Sequence, residues 1–326
     1  MCTAVTYKTK DHYFGRNLDL ECSFQETVTI TPRNYAFHFR KMGSMECHLA
    51  MIGMAHISDG YPLYYDATNE KGLSMAGLNF PENADYKPYA DGKDNVTPFE
   101  LIPWILGKCA TVSEAERLLE RINLLNENYS EKLPLSPLHW IISDRERSIT
   151  LESVKAGVRI YDNPVGVLTN NPTFDYHMFN LNNYLGLTRG DPEITFAGEK
   201  LKLKRYSRGM GAMGLPGDTS SMSRFVRAAF IKMNSVSGES EMESVSQFFH
   251  ILKSVEMQRG CVLLENGCYD LTIYSSCCNT DRGIYYYSTY DNLRIHAVDM
   301  HREDLQGSAL ILYPMKKDQT ITYQNG

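Results

Sequence analysis

The sequence predicts an α+β domain in which sheets and helices form separate layers. Three observations support this fold class: strand patterns fill the first third of the chain, helix-start signals follow, and strand patterns return near the end. The elements do not alternate as βαβ units, and no Pro- or Ser-rich linker divides the 326 residues. We therefore expect one domain over residues 1–326.

The first strands predict a hairpin. Residues 2–7 and 13–18 are strand-like and flank a short polar break. Residues 35–40 alternate between aromatic and smaller or polar side chains with a period of two, and 61–65 and 73–79 have strand composition. The first third of the chain is therefore expected to supply most of one or more sheets.

Two capping boxes predict the helices that follow. The sequence TPFE at 97–100 places Pro at a first helical position and leads into a helix over 101–106. The sequence SEAE at 113–116 starts a second amphipathic helix. Two further helices are expected over 223–233 and 243–255.

The remaining strands are expected on both sides of these later helices. They are 138–144, 148–154, a strand from 158 toward 169 that Asn171-Pro172 stops, 271–275, 284–289, 294–298 and 309–313. The polar and mixed segment 175–199 fits neither pattern, and we expect an irregular excursion there.

Composition excludes several classes of protein. Apolar residues make up 43% and charged residues 22% of the chain, which is typical of a globular protein. The net charge of −6 provides no electrostatic footprint for nucleic acid. No apolar run approaches the roughly 18 residues of a membrane span, and Thr6, Lys8 and Lys10 interrupt any signal-like start. We therefore expect a cytoplasmic protein without nucleic-acid or membrane partners.

Known metal and cofactor motifs are weak or missing. The eight cysteines contain no CxxC pair and the nine histidines no HExxH, so the sequence does not support a zinc ribbon, a thioredoxin-like redox motif or an HExxH metal site. The sequence GMGAMG at 209–214 matches GxGxxG, which leaves a dinucleotide-dependent oxidoreductase as one alternative. Basic residues rather than a buried strand precede the motif, and turn residues follow it. A Gly-rich loop is therefore the favoured interpretation.

Cys2 is the one residue whose position suggests chemistry. Removal of Met1 would give Cys2 a free α-amine beside its thiol, so one residue would carry both nucleophile and base. Arg16 and Asp19, on the second strand of the hairpin, could favour the thiolate and hold the amine. These two residues have opposite parity on a strand, so both can face Cys2 only if the strand bends or ends there.

Long motifs give the chain a resemblance to a known family. They are MCTAVTY, FGRNLD, NEKGLSMAGLNFP, LHWIISD, DNPVGVLTNNPTFDY, GLPGDTSSMSRF and GIYYYSTYDN. In order and over essentially the whole length, the chain resembles the choloylglycine hydrolases, and within them the bile salt hydrolases of gut bacteria. The resemblance implies a four-layer αββα N-terminal-nucleophile (Ntn) sandwich without metal or organic cofactor. It also implies a homotetramer in which the excursion 175–199 reaches a neighbouring subunit.

The resemblance also implies the active-site residues. Cys2 matches the nucleophile, Arg16 the arginine near its thiol, and Asp19 the carboxylate that binds the α-amine. Asn79 and Asn170 match the two oxyanion-hole positions, and Arg224 the arginine that closes the polar network. The positions that match the apolar substrate wall are Leu18, Tyr65, Tyr129, Leu133 and Leu138.

The implied function is hydrolysis of the amide bond in glycine- or taurine-conjugated bile acids, through a Cys2 thiolate and a thioester. Methionine removal alone is expected to mature the enzyme. Penicillin V acylase activity is the alternative within the family, although those enzymes tend to carry Tyr where this chain has Asn79. A steroid-binding protein that kept the fold without catalysis is a third alternative, and the complete catalytic set disfavours it.

Overall fold

The computed structural model describes residues 1–197 and 200–325. Residues 198 and 199, at the end of the expected excursion, lie outside the described residues. The strands are β1 (Cys2–Lys8), β2 (His12–Leu20), β3 (Thr27–Thr31), β4 (Phe37–Phe39), β5 (Gly43–Met45), β6 (Met51–Ser58), β7 (Tyr61–Asn69), β8 (Ser74–Asn79), β9 (Asp94–Val96), β10 (Ile122–Leu124), β11 (Leu138–Ser143), β12 (Ser148–Val154), β13 (Gly157–Asp162), β14 (Val167–Leu168), β15 (Leu271–Asn279), β16 (Ile284–Thr289), β17 (Asn292–Asp299) and β18 (Ile311–Pro314). The α-helices are α1 (Leu101–Lys108), α2 (Val112–Leu119), α3 (Phe174–Asn180), α4 (Ser221–Asn234) and α5 (Glu241–Lys253).

Two large sheets form the centre of the fold. One has six strands in the order β14-β1-β2-β15-β16-β17, and the other has eight in the order β13-β12-β11-β8-β7-β6-β3-β18. Helices α4 and α5 pack against β1, β2 and β15, while α1 packs against β7 and β8. The result is four layers, helix–sheet–sheet–helix, which confirms the predicted α+β class and the αββα sandwich.

Two hydrophobic clusters hold these layers together. The larger joins the facing sides of both sheets to helices α4 and α5, with Phe14, Ile141, Phe225 and Phe248 among its buried members. The smaller joins the outer side of the eight-stranded sheet to α1 and α2 around Trp104. Strands β1 and β2 contribute buried residues to the larger cluster.

The predicted hairpin is present and fixes the register of the site. β1 and β2 are antiparallel, with Cys2 opposite Leu18 and Ala4 opposite Arg16. On the other side of β2, strand β15 has a bulge between Thr272 and Tyr274, opposite Asp19 and Leu18. Bulges of this kind re-aim side chains near functional sites.

The two capping boxes in the middle of the chain were misplaced. Helix α1 begins at Leu101, so Pro98 is not its first residue. The Thr97 hydroxyl does not cap a helix, because it donates to the Glu100 carboxylate at 2.7 Å. Helix α2 is capped by Thr111, whose side chain accepts from the Glu114 backbone N–H, so Ser113 lies inside the helix. Later in the chain, a capping box of Ser240 and Glu243 starts α5 two residues before the predicted position.

Two other segments differ from the predictions. The strand expected from 158 toward 169 is split into β13 and β14, because a turn bonded through Asn163 and Gly166 interrupts it. The excursion 175–199 opens with most of α3 and a 3-10 turn over Leu181–Tyr184, and only its described remainder is irregular.

The GxGxxG segment forms a 3-10 turn, Met210–Ala212, with no strand among the described residues just before it, so the dinucleotide interpretation is wrong.

Candidate active site

A cavity of about 340 Å³ opens where the ends of the two sheets meet. Cys2, Arg16 and Asn79 line it together, although they come from strands β1, β2 and β8. The rest of its surface is mostly apolar, from Leu18, Leu20, Phe24, Leu63, Tyr64, Tyr65, Phe99, Ile102, Tyr129, Leu133, Pro134, Leu135, Leu138 and Trp140. A thiol at the wall of a deep apolar cavity suits a large apolar substrate with one reacting carbonyl.

Arg16 is a buried cation on the same face of the hairpin as Cys2. Its Nη1 donates to the backbone oxygens of Tyr65, at 3.0 Å, and Gly77, at 2.6 Å, in the facing sheet, and its Nη2 finds no partner among the described residues. Burial alone would lower the pKa of Arg16, but the nearby Cys2 thiol and acidic groups raise it above its usual range. A guanidinium held in this way is a fixed positive charge beside the thiol.

Asp19 approaches the start of β1 from the opposite face. Its Oδ1 accepts from the Thr272 hydroxyl at 2.6 Å, and its Oδ2 is buried without a hydrogen-bond partner among the described residues. Burial raises the pKa of Asp19, while the N-terminal ammonium and Arg224 oppose that shift. The bend in β2 that parity seemed to require is therefore unnecessary, because Arg16 faces the second sheet and Asp19 faces the helical layer.

The N-terminal ammonium of Met1 is held by the backbone of Asp19 and by a second carboxylate, that of Asp270. It donates to the Asp19 backbone oxygen at 2.7 Å and to Asp270 Oδ2 at 2.9 Å. Burial lowers the pKa of this ammonium, but Cys2, Asp19 and Asp270 outweigh it and raise that pKa overall. No local sequence signal points to Asp270, which lies 269 residues from Met1 and reaches it through the pairing of β2 with β15.

Asn170 and Arg224 clamp the backbone of Cys2. The Cys2 backbone N–H donates to Asn170 Oδ1 at 2.8 Å, and Arg224 donates to the Cys2 carbonyl and to Asn170 Oδ1 at 2.6 and 2.7 Å. Asn170 Nδ2 donates to the Asn79 backbone oxygen at 2.6 Å, which leaves its second hydrogen free. Burial lowers the pKa of Arg224, which is fully enclosed.

Asn79 differs from Asn170 in having a free side chain. It ends β8, is exposed, and lines the cavity beside Cys2. Its side-chain amide makes no hydrogen bond to the described residues, while its backbone oxygen accepts from Asn170. The amide can therefore donate to a group bound in the cavity.

The structure brings together the predicted catalytic and substrate-wall positions. Cys2, Arg16 and Asn79 line the cavity, while Asp19, Asn170 and Arg224 surround the backbone behind Cys2. All the predicted wall residues, Leu18, Tyr65, Tyr129, Leu133 and Leu138, line the cavity. Several other residues of the cavity wall were missed, and one of them, Trp140, could have been predicted because it shares the strand parity of Leu138.

Two further structural observations concern metals and membranes. Over residues 1–197 and 200–325, no group of three or more His, Cys, Asp or Glu residues is arranged to hold a metal ion. In the same part of the chain, no helix combines the length and apolar character needed to cross a membrane.

Comparison with known proteins agrees with this geometry. A bile salt hydrolase/transferase of Lactiplantibacillus plantarum is 57% identical over 318 residues, which cover 98% of each chain. A solved variant of the conjugated bile acid hydrolase of Clostridium perfringens superposes with a TM-score of 0.91 at 38% identity, covering 99% of this chain and 100% of that one. A penicillin V acylase of Agrobacterium tumefaciens shares the fold with a TM-score of 0.75 at 18% identity, covering 99% and 100% of the two chains.

The family match spans nearly the whole chain. Residues 2–313 match the family described as linear amide C–N hydrolases, choloylglycine hydrolase family. The match begins at Cys2 and includes the strands of both sheets that surround the cavity. The chain belongs to the choloylglycine hydrolase family and is an amidohydrolase with the Ntn fold.

Proposed function

We propose that this enzyme hydrolyses the amide bond of glycine- or taurine-conjugated bile acids. The observation that carries the proposal is the position of Cys2 at the wall of an apolar cavity of about 340 Å³, beside the free amide of Asn79. A steroid acyl group is large and apolar, and such cavities hold ligands of this size. The relatives named as bile acid hydrolases support the same substrate class.

The active form begins at Cys2, after loss of Met1. The Cys2 nitrogen already donates to Asn170 Oδ1, and the unpartnered Oδ2 of Asp19 lies on the buried side of the same chain end. Once Met1 is removed, this nitrogen becomes an amine with its own lone pair and a reference pKa near 8. Asn170 and Asp19 then orient the amine as the base of the reaction.

Acylation transfers the steroid acyl group to sulfur. The α-amine takes the Cys2 thiol proton, and the sulfur attacks the amide carbon to form a C–S bond. The Asn79 amide and the second Nδ2 hydrogen of Asn170 donate to the resulting oxyanion. The ammonium gives its proton to the leaving nitrogen, the C–N bond breaks, and glycine or taurine departs with its amine intact.

Deacylation returns the enzyme to its starting state. A water molecule loses a proton to the α-amine and attacks the thioester carbon, using the same oxyanion donors. The C–S bond breaks, the sulfur recovers the proton, and the free bile acid leaves the cavity. The positive charge of Arg16 favours the thiolate as nucleophile and as leaving group.

The tyrosines of the wall are compatible with an apolar ligand. The Tyr129 hydroxyl donates to the Ser58 backbone oxygen at 2.9 Å, so the polar end of this residue is satisfied within the protein. Its ring packs edge-on against Phe99 at 5.1 Å between centroids. Tyr129 therefore contributes an aromatic surface, and its greater polarity compared with Leu does not oppose steroid binding.

A substrate panel tests the proposal. One enzyme preparation is given glycine conjugates, taurine conjugates and penicillin V, and product release is measured for each. We expect bile salt conjugates to be cleaved with the higher kcat/KM, and Cys2→Ala to abolish this turnover. Cys22→Ala is the matched control, because Cys22 is an exposed thiol next to the cavity residue Glu21. Preferential cleavage of penicillin V would overturn the substrate assignment and support the acylase alternative.

We also propose one domain over residues 1–326, a homotetramer and a cytoplasmic location. Strands from both ends of the chain meet in each sheet, as in the pairs β2–β15 and β3–β18, which supports one domain. The excursion presents large exposed side chains, Phe179, Leu185 and Phe196, which supports burial against another subunit. A thiol nucleophile suits a reducing compartment. Light scattering and cell fractionation test these statements.

A further inference from the structure

A buried histidine that takes no part in the reaction connects the two proposed oxyanion donors. His139 lies on β11 and is fully enclosed. Its Nε2 is 2.8 Å from the backbone oxygen of Thr169, the residue before Asn170. Its ring stacks on Phe80, the residue after Asn79, with centroids 4.1 Å apart and planes 7° from parallel. One imidazole therefore contacts the chain beside both donors.

The contact of the other ring nitrogen with Glu152 holds the His139 ring in place. A backbone oxygen only accepts, so Nε2 carries a hydrogen and donates to Thr169. Nδ1 is 3.2 Å from Glu152 Oε1, which also accepts from the Phe174 N–H at 2.9 Å. A bare ring nitrogen and a carboxylate oxygen would repel each other, so a proton lies between them. Glu152, which is equally buried, thus keeps the Nε2 hydrogen aimed at Thr169.

The contacts around Asn170 show why its backbone needs such support. Asn170 Nδ2 reaches the Asn79 backbone oxygen, so the two donors share a hydrogen bond. On the far side, His177 Nε2 lies 2.9 Å from the Asn170 backbone oxygen. Thr169 and Asn170 follow the two-residue strand β14, which by itself provides little pairing. Displacement of either segment would move both amides relative to the Cys2 sulfur.

We propose that His139, held by Glu152, is a positioning residue that aligns Asn79 and Asn170 as donors to the oxyanion. This inference rests on the proposed function, because it assumes an oxyanion in the cavity. His139 touches neither substrate nor sulfur in this scheme. Its contribution appears only when negative charge develops on the carbonyl oxygen, so it affects kcat rather than substrate binding.

The test compares three substitutions by turnover of a conjugated bile salt. His139→Phe retains stacking but loses both hydrogen bonds, and we expect kcat to fall about 10- to 100-fold with KM within about twofold of wild type. His139→Gln retains a donor for Thr169 and should recover part of this loss. In Glu152→Gln the one atom that replaces Oε1 can either donate to Nδ1 or accept from the Phe174 N–H but not both, so kcat should fall by less than in His139→Phe while KM stays within about twofold of wild type.

Two controls separate positioning from a loss of structure. Alkylation of Cys2 by iodoacetamide needs the thiolate but no oxyanion, so its rate should be unchanged in His139→Phe. His48→Phe is the matched variant, because His48 is buried, packs against Phe37, and bonds to the backbone oxygens of Leu49 and Tyr35 away from the cavity. It should lower stability without lowering kcat.

The outcomes that overturn the inference are distinct from failure of the proposed function. Wild-type kcat in folded His139→Phe and His139→Gln would contradict it, as would a rise in KM alone. A parallel fall in alkylation rate would show a general disturbance of the site instead of positioning. If wild-type enzyme itself fails to cleave conjugated bile salts, the proposed function is wrong.

Discussion

Asn79 and Asn170 provide a sharp contrast, because both are proposed to donate to the oxyanion while only one supports the structure. The Asn79 side chain is exposed and makes no hydrogen bond to the described residues, so Asn79→Ala should change the free energy of unfolding by less than about 0.5 kcal/mol. Loss of one oxyanion donor costs about 2.7–4 kcal/mol of transition-state stabilisation, or roughly 10²- to 10³-fold in kcat. The substitution should therefore remove activity and leave stability intact.

Asn170→Ala should reduce both activity and stability. Its side chain bonds to the Cys2 backbone N–H, to Arg224 and to the Asn79 backbone oxygen. Its loss removes one acceptor of the buried Arg224 guanidinium, and a hydrogen bond to a charged group contributes about 1.5–3 kcal/mol. The kcat loss should be at least as large as for Asn79→Ala, because Asn170 also orients the α-amine.

Steady-state release of glycine or taurine measures the loss of kcat in each variant. Urea unfolding followed by circular dichroism measures the loss of stability. We expect Asn79→Ala to unfold at the same urea concentration as wild type and Asn170→Ala to unfold at a lower one. A folded Asn79→Ala enzyme with kcat within threefold of wild type would refute the oxyanion assignment. An Asn170→Ala protein as stable as wild type would show that the contacts of Asn170 with the Cys2 backbone and Arg224 do not stabilise the fold.

Further predictions follow from other parts of the structure. Cys2→Ala should lose turnover and keep its circular dichroism spectrum; measurable cleavage by this variant would exclude the thiol as nucleophile. Dilute peroxide should inactivate wild type and Cys22→Ala alike, and dithiothreitol should restore both; protection by Cys22→Ala would implicate the wrong thiol. Leu138→Ala should raise KM with little change in kcat, since it removes apolar contact that ground and transition states share; the reverse pattern would contradict a wall role. Burial lowers the pKa of His12 and His177 from 6.5 to about 4, so the unfolded chain binds more protons between these pH values. Each histidine then contributes up to about 3 kcal/mol of stability above pH 6.5 that is lost as the pH falls through this window; urea unfolding of His12→Gln should show a flatter pH dependence, and an unchanged slope would contradict this.

Sequence patterns were sufficient where local rules decide the structure. The hairpin of β1 and β2 followed from two strand patterns around a polar break, and Cys2 stood out by its position at the start of the chain. The layered α+β class followed from the order of strands and helices. The cavity-facing position of Trp140 could have been predicted too, because it lies two residues from Leu138 on one strand.

Tertiary contacts explain what the sequence could not predict. The box at Thr97 looked like a helix start, but the Glu100 carboxylate bonds to the Arg40 backbone N–H at 2.6 Å, a contact between residues 60 apart. The parity of Arg16 and Asp19 suggested a bend in β2. Strand periodicity alone does not show that Arg16 can lie near the thiol on one face of the sheet while Asp19 lies near the chain-end nitrogen on the other. Asp270 has no local motif and meets the N-terminus only after the sheet forms.

If the enzyme reacts through Cys2 as its first residue, its acyl-enzyme intermediate must carry the acyl group on the sulfur of that residue. Wild-type enzyme is quenched in acid during turnover of a conjugated bile salt and digested with pepsin while still acidic, so that the protonated α-amine leaves the acyl group on sulfur. The N-terminal peptide is then weighed by mass spectrometry before and after hydroxylamine. We expect a peptide that begins at Cys2, carries the bile acyl group, and loses that group to hydroxylamine, as a thioester would. An acyl group on any other residue, or full activity in a chain that still begins with Met1, would contradict it.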